Sequence, residues 1–471
     1  MLSQSLVTLS LLPAFGAAET VLGVYMFHRH ANLTALGYQE VYTSGSFYRS
    51  RYIASDADFK INGMNTDIVK QSQISVSAPD DTVLQNSAQG FLQGLYPPVG
   101  GALGSQTLAN GTNVTAPLNG YQLIPVELVS SGSGSEDNGW LQSASGCSAA
   151  TSSSNEYFSS AEYTNLLSST QNFYTSISPV INSTFTQSQT SFKNAYTIYD
   201  YINVATIHNS SIPSDDLLTT DNLFQLRTLA DAHEWGLAYN SSNTMRAIAG
   251  MTLAGEILQF LNNTIETAGK SKFGIQFGAY GTFASFFGLA GLPAADPDFY
   301  GIVDYASAMA FELVTNTTVS SGSYPSTSDI SVRFIFHNGT TSDISPPTAY
   351  PLFGTSNELI SYNDFVTSMN KFAISSTEQW CNACQNSTGS CAAYASSSSS
   401  SSNGTAAAAT QEMSGNGLSP AVNGVIGAMV TLAVVLGLEA LVLAAGGLRV
   451  VSKRRLAQGA GVVSQSVEPK A

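Results

Sequence analysis

The chain has 471 residues, of which 43% are hydrophobic and only 10% charged, and its formal net charge at pH 7 is −15. This length is ample for one large domain or two smaller ones. The acidic balance argues against nucleic-acid binding, because no basic face could follow a phosphate backbone. It also gives little long-range attraction for anions, so any phosphate site depends on local groups.

The first 18 residues are predicted to form a secretory signal peptide. An apolar centre at residues 6–12 is followed by the small residues Gly16, Ala17 and Ala18, which is typical of a cleavage site. The alternative is an N-terminal core helix. The run is too short to span a membrane.

The first strand is predicted at residues 21–27 (VLGVYMF), which are apolar and rich in β-formers. It ends in His28, Arg29 and His30, and residues 34–52 are predicted to form a helix. A buried strand that delivers polar groups at its C-terminal end is the usual way in which an α/β sheet builds a site. The alternative is that Arg29 and His30 are a structural pair at the strand end, with their polar groups hydrogen-bonded within the fold.

The remaining pattern is that of a mixed α/β domain covering residues 19–392. Residues 155–240 are helical by period, broken near Pro179, and are predicted to form a helical insertion. Further strands and helices alternate along the chain: strands at 74–78, 121–128, 272–278, 306–314 and 330–336, and helices at 83–95, 242–268, 282–289 and 364–374.

Two features indicate an exported ectodomain. The even number of cysteines, Cys147, Cys381, Cys384 and Cys391, predicts two disulfides, with three possible pairings. The alternative, a zinc or redox Cys-x-x-Cys site, lacks a nearby histidine. Asn-x-Ser/Thr sequons are spread over this region: Asn32, Asn110, Asn113, Asn182, Asn209, Asn240, Asn262, Asn316, Asn338, Asn386 and Asn403.

The C-terminal part is predicted to anchor the chain in a membrane. Residues 393–421 are rich in Ser, Ala and Thr and form a predicted stalk. Residues 422–448 are apolar and long enough to span a bilayer, and the basic residues that follow place the tail, 449–471, in the cytoplasm. A glycolipid-anchor signal is the alternative, but such signals end in their hydrophobic segment.

Five stretches of the sequence are similar to segments of one known family. They are Arg29-His30 after the first strand, ALGYQ at 35–39, SAQGFLQGLYPP at 87–98, FGAYGTFASFFGLAGL at 277–292 and WCNAC at 380–384. On these stretches the sequence resembles the acid phosphatase and phytase branch of the histidine phosphatase superfamily. Arg29-His30 looks like the start of its Arg-His-Gly-x-Arg signature, and ALGYQ resembles the segment after it. The similarity looks closest to a fungal membrane-bound subgroup. It implies a phosphoglycerate-mutase-like central sheet flanked by helices, with a helical subdomain over the core.

The resemblance also implies roles for two residues and the loss of others. His30 matches the nucleophile that forms a phosphohistidine, and Arg29 matches the first phosphate-binding arginine. Ala31 stands in place of the signature glycine, and the second arginine matches nothing, through a real loss or an error in the gene model. The third arginine falls on Val83, and the late His-Asp pair falls on Ala279-Tyr280.

Other polar residues do not restore the missing groups in the sequence. His233-Glu234 contains suitable residue types but lies in a predicted helix, and we interpret it as structural. Arg49 and Arg51 are expected to lie roughly 25 Å along the first helix. Arg227, Arg246 and Arg333 have no motif context and are interpreted as packing or surface residues.

Two hypotheses follow. In the first, the chain is a cell-surface type I glycoprotein with weak phosphomonoesterase activity, in which His30 attacks and Arg29 binds phosphate. In the second, it is a pseudoenzyme that binds a ligand or partner or has a structural role.

No cofactor or metal is expected, because the five histidines do not cluster with carboxylates at ligand spacing. The expected partners are a small phosphorylated ligand and a plasma or other secretory-pathway membrane. The sequence names no protein partner.

Overall fold

The computed structural model describes residues 19–31, 34–129, 146–209, 212, 216–320 and 322–394. The predicted signal peptide, membrane helix, cytoplasmic tail and nearly all of the predicted stalk lie outside these described residues, as do the sequons at Asn32 and Asn403. No helix within the described ranges is both long and apolar enough to cross a bilayer.

Strands and helices are interleaved along the chain. The strands are β1 (Thr20–Arg29), β2 (Ile74–Ala78), β3 (Ser105–Thr107), β4 (Asn113–Thr115), β5 (Glu127–Leu128), β6 (Phe273–Gly278), β7 (Ala308–Thr315), β8 (Ile330–His337), β9 (Thr348–Tyr350) and β10 (Leu359–Ser361). The helices are α1 (Ala35–Tyr52), α2 (Thr82–Leu95), α3 (Gly100–Gly104), α4 (Pro117–Gly120), α5 (Ser148–Asn155), α6 (Ala161–Ser169), α7 (Gln171–Ile181), α8 (Ala195–His208), α9 (Thr220–Ala238), α10 (Ile248–Glu266), α11 (Tyr280–Leu289), α12 (Tyr362–Met369) and α13 (Thr377–Cys384).

One mixed sheet carries the fold, and the predicted α/β class with a central sheet flanked by helices is confirmed. Its order is β10-β8-β7-β1-β6-β2-β5, with β9 paired to β8. The strands β1, β6, β2 and β5 are parallel to their neighbours in this series, whereas β7 pairs antiparallel with β1 and with β8. The carboxyl ends of four parallel strands therefore meet at one edge, next to the end of β1.

The central position of β1 explains why its sequence is almost continuously apolar. It is hydrogen-bonded on both sides, and every residue after Thr20 is buried. Alternate side chains face opposite layers: Val24 and Met26 join the cluster beside α1 and α2, and Tyr25 and Phe27 join the cluster beside α10 and α11. Burial on both faces removes the polar alternation that a half-exposed strand would show.

Helices α6 to α9 form a separate apolar cluster around Tyr174, Phe192 and Ile198. The predicted break in the helical run near Pro179 is confirmed, because Pro179 lies in the last turn of α7, which ends at Ile181. The next helical residues are a 3-10 turn at Phe192–Asn194, which leads into α8. Pro179 has no backbone N–H to donate to the carbonyl one turn earlier, and its ring clashes with that carbonyl, so both effects favour an end of the helix here.

The strand predicted at residues 121–128 is wrong over most of its length. Only Glu127–Leu128 pairs with β2, at the edge of the sheet. Gln122 instead accepts a hydrogen bond from the backbone N–H of Val69 and donates to the carbonyls of Asp67 and Pro97. Side-chain bonding of this kind satisfies the neighbouring loop rather than extending a ladder.

The structure selects one of the three possible disulfide pairings. Cys147 is bonded to Cys384, and Cys381 is bonded to Cys391. The first bond ties α13 to the start of α5, where Cys147 and Cys384 lie in a small apolar cluster with Ile248. The prediction of two disulfides is confirmed.

Candidate functional site

The end of β1 places Arg29 and His28 on opposite faces of the sheet. His28 pairs with Phe277 and Arg29 with Gly278 of β6. The ring of His28 lies 5.0 Å from that of Phe91 and 5.1 Å from that of Phe277. Burial lowers the pKa of His28 to about 4, so this imidazole is neutral near pH 7 and belongs to the core.

The guanidinium of Arg29 is enclosed by tyrosines on the other face. Its carbon lies 4.2 Å from the ring centroid of Tyr305 and 5.3 Å from that of Tyr280. It donates hydrogen bonds to the backbone carbonyl of Val303 and, at 3.5 Å, to the hydroxyl of Tyr196. Arg29 is only 3% exposed. Its charge is thus stabilised by aromatic faces and a carbonyl.

His30 follows the strand and is 6% exposed. Its ring packs edge-on against Tyr305 with a centroid distance of 5.6 Å. Its backbone carbonyl accepts a hydrogen bond from the N–H of Ala306. The same loop that covers Arg29 therefore also covers the predicted nucleophile.

Ala31 stands where the resemblance implies the signature glycine, and Val83 stands where it implies the third arginine. The N–H of Ala31 donates to Ser87 Oγ at 3.1 Å, so α2 is tied to the residues that follow β1. Val83 lies in the first turn of α2, whose N-cap Asp81 accepts from the N–H groups of Val83 and Leu84. A carboxylate at this helix terminus favours the helix and opposes an incoming anion.

Tyr280 begins α11 directly after β6 and Ala279. Its hydroxyl donates to Glu234 Oε2 at 2.8 Å, and Glu234 Oε1 lies 2.7 Å from His233 Nδ1. Burial and the nearby Glu234 carboxylate hold the pKa of Tyr280 well above its usual value. The structure thus brings Glu234 to the neighbourhood of Arg29, through a contact that the helical pattern of residues 231–239 does not reveal.

Arg227 is a second cation near the site. It and Arg29 line one cavity of about 310 Å³ together with Glu40, Asp200 and Asp304. Arg227 forms ion pairs with Asp304 at 2.7 Å and Asp231 at 3.1 Å, and also donates to the carbonyl of Ile302. These contacts are those of a packing residue, as predicted. The sequence did not predict that Arg227 lies beside Arg29.

The other arginines lie in different surroundings. Arg51 and Arg333 both bind the buried carboxylate of Glu312, at 2.8 Å and 2.7 Å. Arg49 donates to the carbonyl of Leu95, and Arg246 donates to that of Gly236. Each of these cations thus has partners within the fold rather than at the end of β1.

Within the described ranges, no group of three or more His, Cys, Asp or Glu side chains is placed to hold a metal ion. The described groups at the end of β1 are the enclosed Arg29, His30 and three tyrosines, Tyr196, Tyr280 and Tyr305, whereas His28 packs against Phe91 and Phe277.

Comparison with known proteins places this geometry in a family context. Residues 19–337 match the Histidine phosphatase superfamily (branch 2). No curated protein matches the chain.

Solved phytase structures share the fold. The Hafnia alvei phytase in complex with tartrate has a TM-score of 0.51 at 13% identity, covering 78% of this chain and 99% of that one. The Citrobacter braakii phytase has a TM-score of 0.50 at 12% identity, covering 78% and 99%. The phytase of Klebsiella sp. ASR1 has a TM-score of 0.50 at 10% identity, covering 76% and 96%. At these identities the similarity shows the fold alone.

Proposed function

Since the chain belongs to branch 2 of the histidine phosphatase superfamily, we propose that it is a cell-surface glycoprotein whose ectodomain has lost efficient phosphomonoester hydrolysis. In this proposal a signal peptide (1–18) exports the domain, and a stalk (393–421) and membrane helix (422–448) hold it at a plasma or other secretory-pathway membrane. The ectodomain then acts by binding a ligand or partner, or as a structural part of the surface.

The surroundings of Arg29 carry this proposal. A phosphoryl-binding arginine must offer its N–H groups to oxygen atoms of the substrate. Here Nη1 donates to the Val303 carbonyl and Nη2 to the Tyr196 hydroxyl, Nε is buried with no hydrogen-bond partner among the described residues, and the guanidinium faces two tyrosine rings. A phosphate group would have to displace these contacts, and its own charge would lose its hydration on binding.

The missing groups add to this obstacle. A transferring phosphoryl group needs several cations around it, and the loss of one such contact costs roughly 3–4 kcal/mol, or a hundredfold or more in rate. The nearest other arginine that lines the cavity, Arg227, is paired with Asp231 and Asp304. The cavity lining holds three carboxylates and two arginines, which disfavours a phosphate dianion.

Weak acid phosphatase activity is the second candidate, favoured by one contact. The hydrogen bond between Tyr280 and Glu234 brings a carboxyl group near the position of the family's acid. In this scheme His30 attacks phosphorus, Arg29 holds a phosphoryl oxygen, and Glu234 supplies a proton to the leaving alcohol through or beside Tyr280.

Hydrolysis of a generic aryl phosphate at acidic pH separates the two candidates. The full chain is made in a eukaryotic secretory host, beside His30→Ala and Glu234→Gln variants. We expect the three proteins to show the same background rate. A wild-type rate that falls to background in His30→Ala would overturn the proposal, and a parallel fall in Glu234→Gln would assign the proton donor.

A further inference from the structure

We propose that Asn338 carries an N-linked glycan whose first sugars lie in the cavity beside Arg227. Asn338, Gly339 and Thr340 form a sequon directly after β8. Asn338 is exposed and itself lines a cavity of about 830 Å³. The inference rests on the proposed export of the ectodomain, because the modification occurs in the secretory pathway.

The side chain of Asn338 is already oriented in the folded chain. Its Oδ1 accepts from the N–H of Asp304 at 2.7 Å and from Ser307 Oγ at 3.0 Å. Its Nδ2 lies 3.4 Å from Asp304 Oδ2. Glycosylation replaces one of the two hydrogens of Nδ2 and leaves both hydrogen bonds to Oδ1 in place. The two bonds to Oδ1 fix the amide plane and hence the direction in which the sugar leaves.

The cavity has the chemistry of a sugar site rather than a phosphate site. Its volume lies within the range of about 300–1,000 Å³ that is usual for ligand pockets. Phe224, Trp235 and Tyr300 line it and offer aromatic surface to the C–H face of a pyranose ring. Carboxylates such as Glu162 and Asp298 line it as well, and they accept hydrogen bonds from sugar hydroxyls.

Arg227 does not convert this cavity into an anion site, because it is paired with Asp231 and Asp304. Asp304 and Arg227 line both this cavity and the smaller one that reaches Arg29. A glycan at Asn338 therefore lies next to the candidate site and limits access to it. This position gives the modification a consequence beyond solubility.

The test uses the full chain from a host that makes high-mannose glycans. The folded protein is treated with an endoglycosidase, and release at each sequon is followed by glycopeptide mass spectrometry. Asn182, exposed at the end of α7, is the matched open site. We expect Asn338 to be occupied and released at least about tenfold more slowly than Asn182, as a population that is about nine-tenths docked would give. After denaturation, both sites are released at equal rates.

Three variants sharpen the result. Phe224→Ala removes an aromatic side chain that is 69% exposed, and it is expected to speed release at Asn338 but not at Asn182. Thr340→Ala removes the sequon and keeps the Asn338 amide, whereas Thr340→Ser keeps both. We expect only Thr340→Ala to lower the melting temperature relative to the wild type.

Three results overturn the inference. Glycans at other sequons with Asn338 empty, or equal native release at Asn338 and Asn182, would contradict it while leaving the export proposal intact. An absence of glycans at every sequon would contradict both proposals.

Discussion

The Arg29 guanidinium lies 4.2 Å from the Tyr305 ring centroid, and this contact relates the fold to the proposed loss of activity. The hydroxyl of Tyr305 donates to Asp200 at 2.9 Å, which ties the ring to α8. A desolvated cation that lies over a fixed aromatic ring is stabilised by about 2 kcal/mol or more. The arginine thus contributes to the stability of the native fold.

The first prediction concerns the stability role of Arg29. Arg29→Ala leaves the Val303 carbonyl without this donor and opens a space between Tyr280 and Tyr305. We expect the free energy of unfolding to fall by about 3 kcal/mol, measured by chemical denaturation. Lys270→Ala, at an exposed lysine, is the control and should change little. An Arg29→Ala protein as stable as the wild type would show that the guanidinium is not held by the fold.

A second prediction concerns stability at acidic pH. The folded pKa of His28 is about 4, below its usual 6.5, because burial disfavours the charged ring. Between these values the unfolded chain binds more protons than the folded chain, so stability falls as pH falls. The contribution of His28 to this loss is about 3 kcal/mol.

The pH slope of the unfolding free energy between pH 6.5 and 4 measures this contribution. His28→Leu should flatten the slope, whereas His208→Gln, at an exposed histidine, should preserve it. Equal slopes in the wild type and His28→Leu would mean that His28 is not the residue that titrates.

The third prediction concerns the charge cluster around Glu312, which is fully buried. Its carboxylate accepts from Arg51, Arg333 and, at 2.6 Å, the hydroxyl of Tyr52. Glu312→Gln leaves two arginines without their common anion and is expected to cost about 3–5 kcal/mol. Thermal melting of the variant and the wild type measures this loss. Glu358→Gln, at an exposed glutamate, is the control and should change the melting temperature little. A Glu312→Gln protein that melts with the wild type would contradict the assignment of these arginines to the core.

The fourth prediction compares the two disulfides. Cys147–Cys384 spans 237 residues and Cys381–Cys391 spans 10. Loop-closure entropy predicts stabilisation of about 5 kcal/mol for the longer loop and about 3 kcal/mol for the shorter one. Double serine variants of each pair, compared by denaturation under oxidising conditions, should differ in that order. The reverse order would mean that local contacts, rather than chain entropy, decide the effect.

Local patterns in the sequence predict much of the sheet but little of the site. The strand at 74–78 is found unchanged as Ile74–Ala78, and the strand at 272–278 shifts by one residue to Phe273–Gly278. Both are apolar runs whose burial is set by position within the sheet. The strand predicted at 121–128 is absent over most of its length, because Gln122 is hydrogen-bonded to loop groups that lie far away in sequence.

The site itself depends on contacts between distant segments. Arg29 meets Tyr196 across 167 residues and the Val303 carbonyl across 274, and no local period encodes either contact. Glu234 reaches Tyr280 from another helix. Only the resemblance drew attention to position 280, and it indicated what was missing rather than what replaced it.

Titration calorimetry with inorganic phosphate tests the central claim most directly. The full chain is compared with Arg29→Gln and with Lys270→Ala at acidic pH. If the Arg29 charge is stabilised by Tyr280, Tyr305 and Val303, none of the three proteins binds phosphate with a millimolar or lower dissociation constant. A millimolar constant corresponds to a binding free energy of about −4 kcal/mol. Saturable binding that is lost in Arg29→Gln and kept in Lys270→Ala would contradict the account and show a working phosphate site.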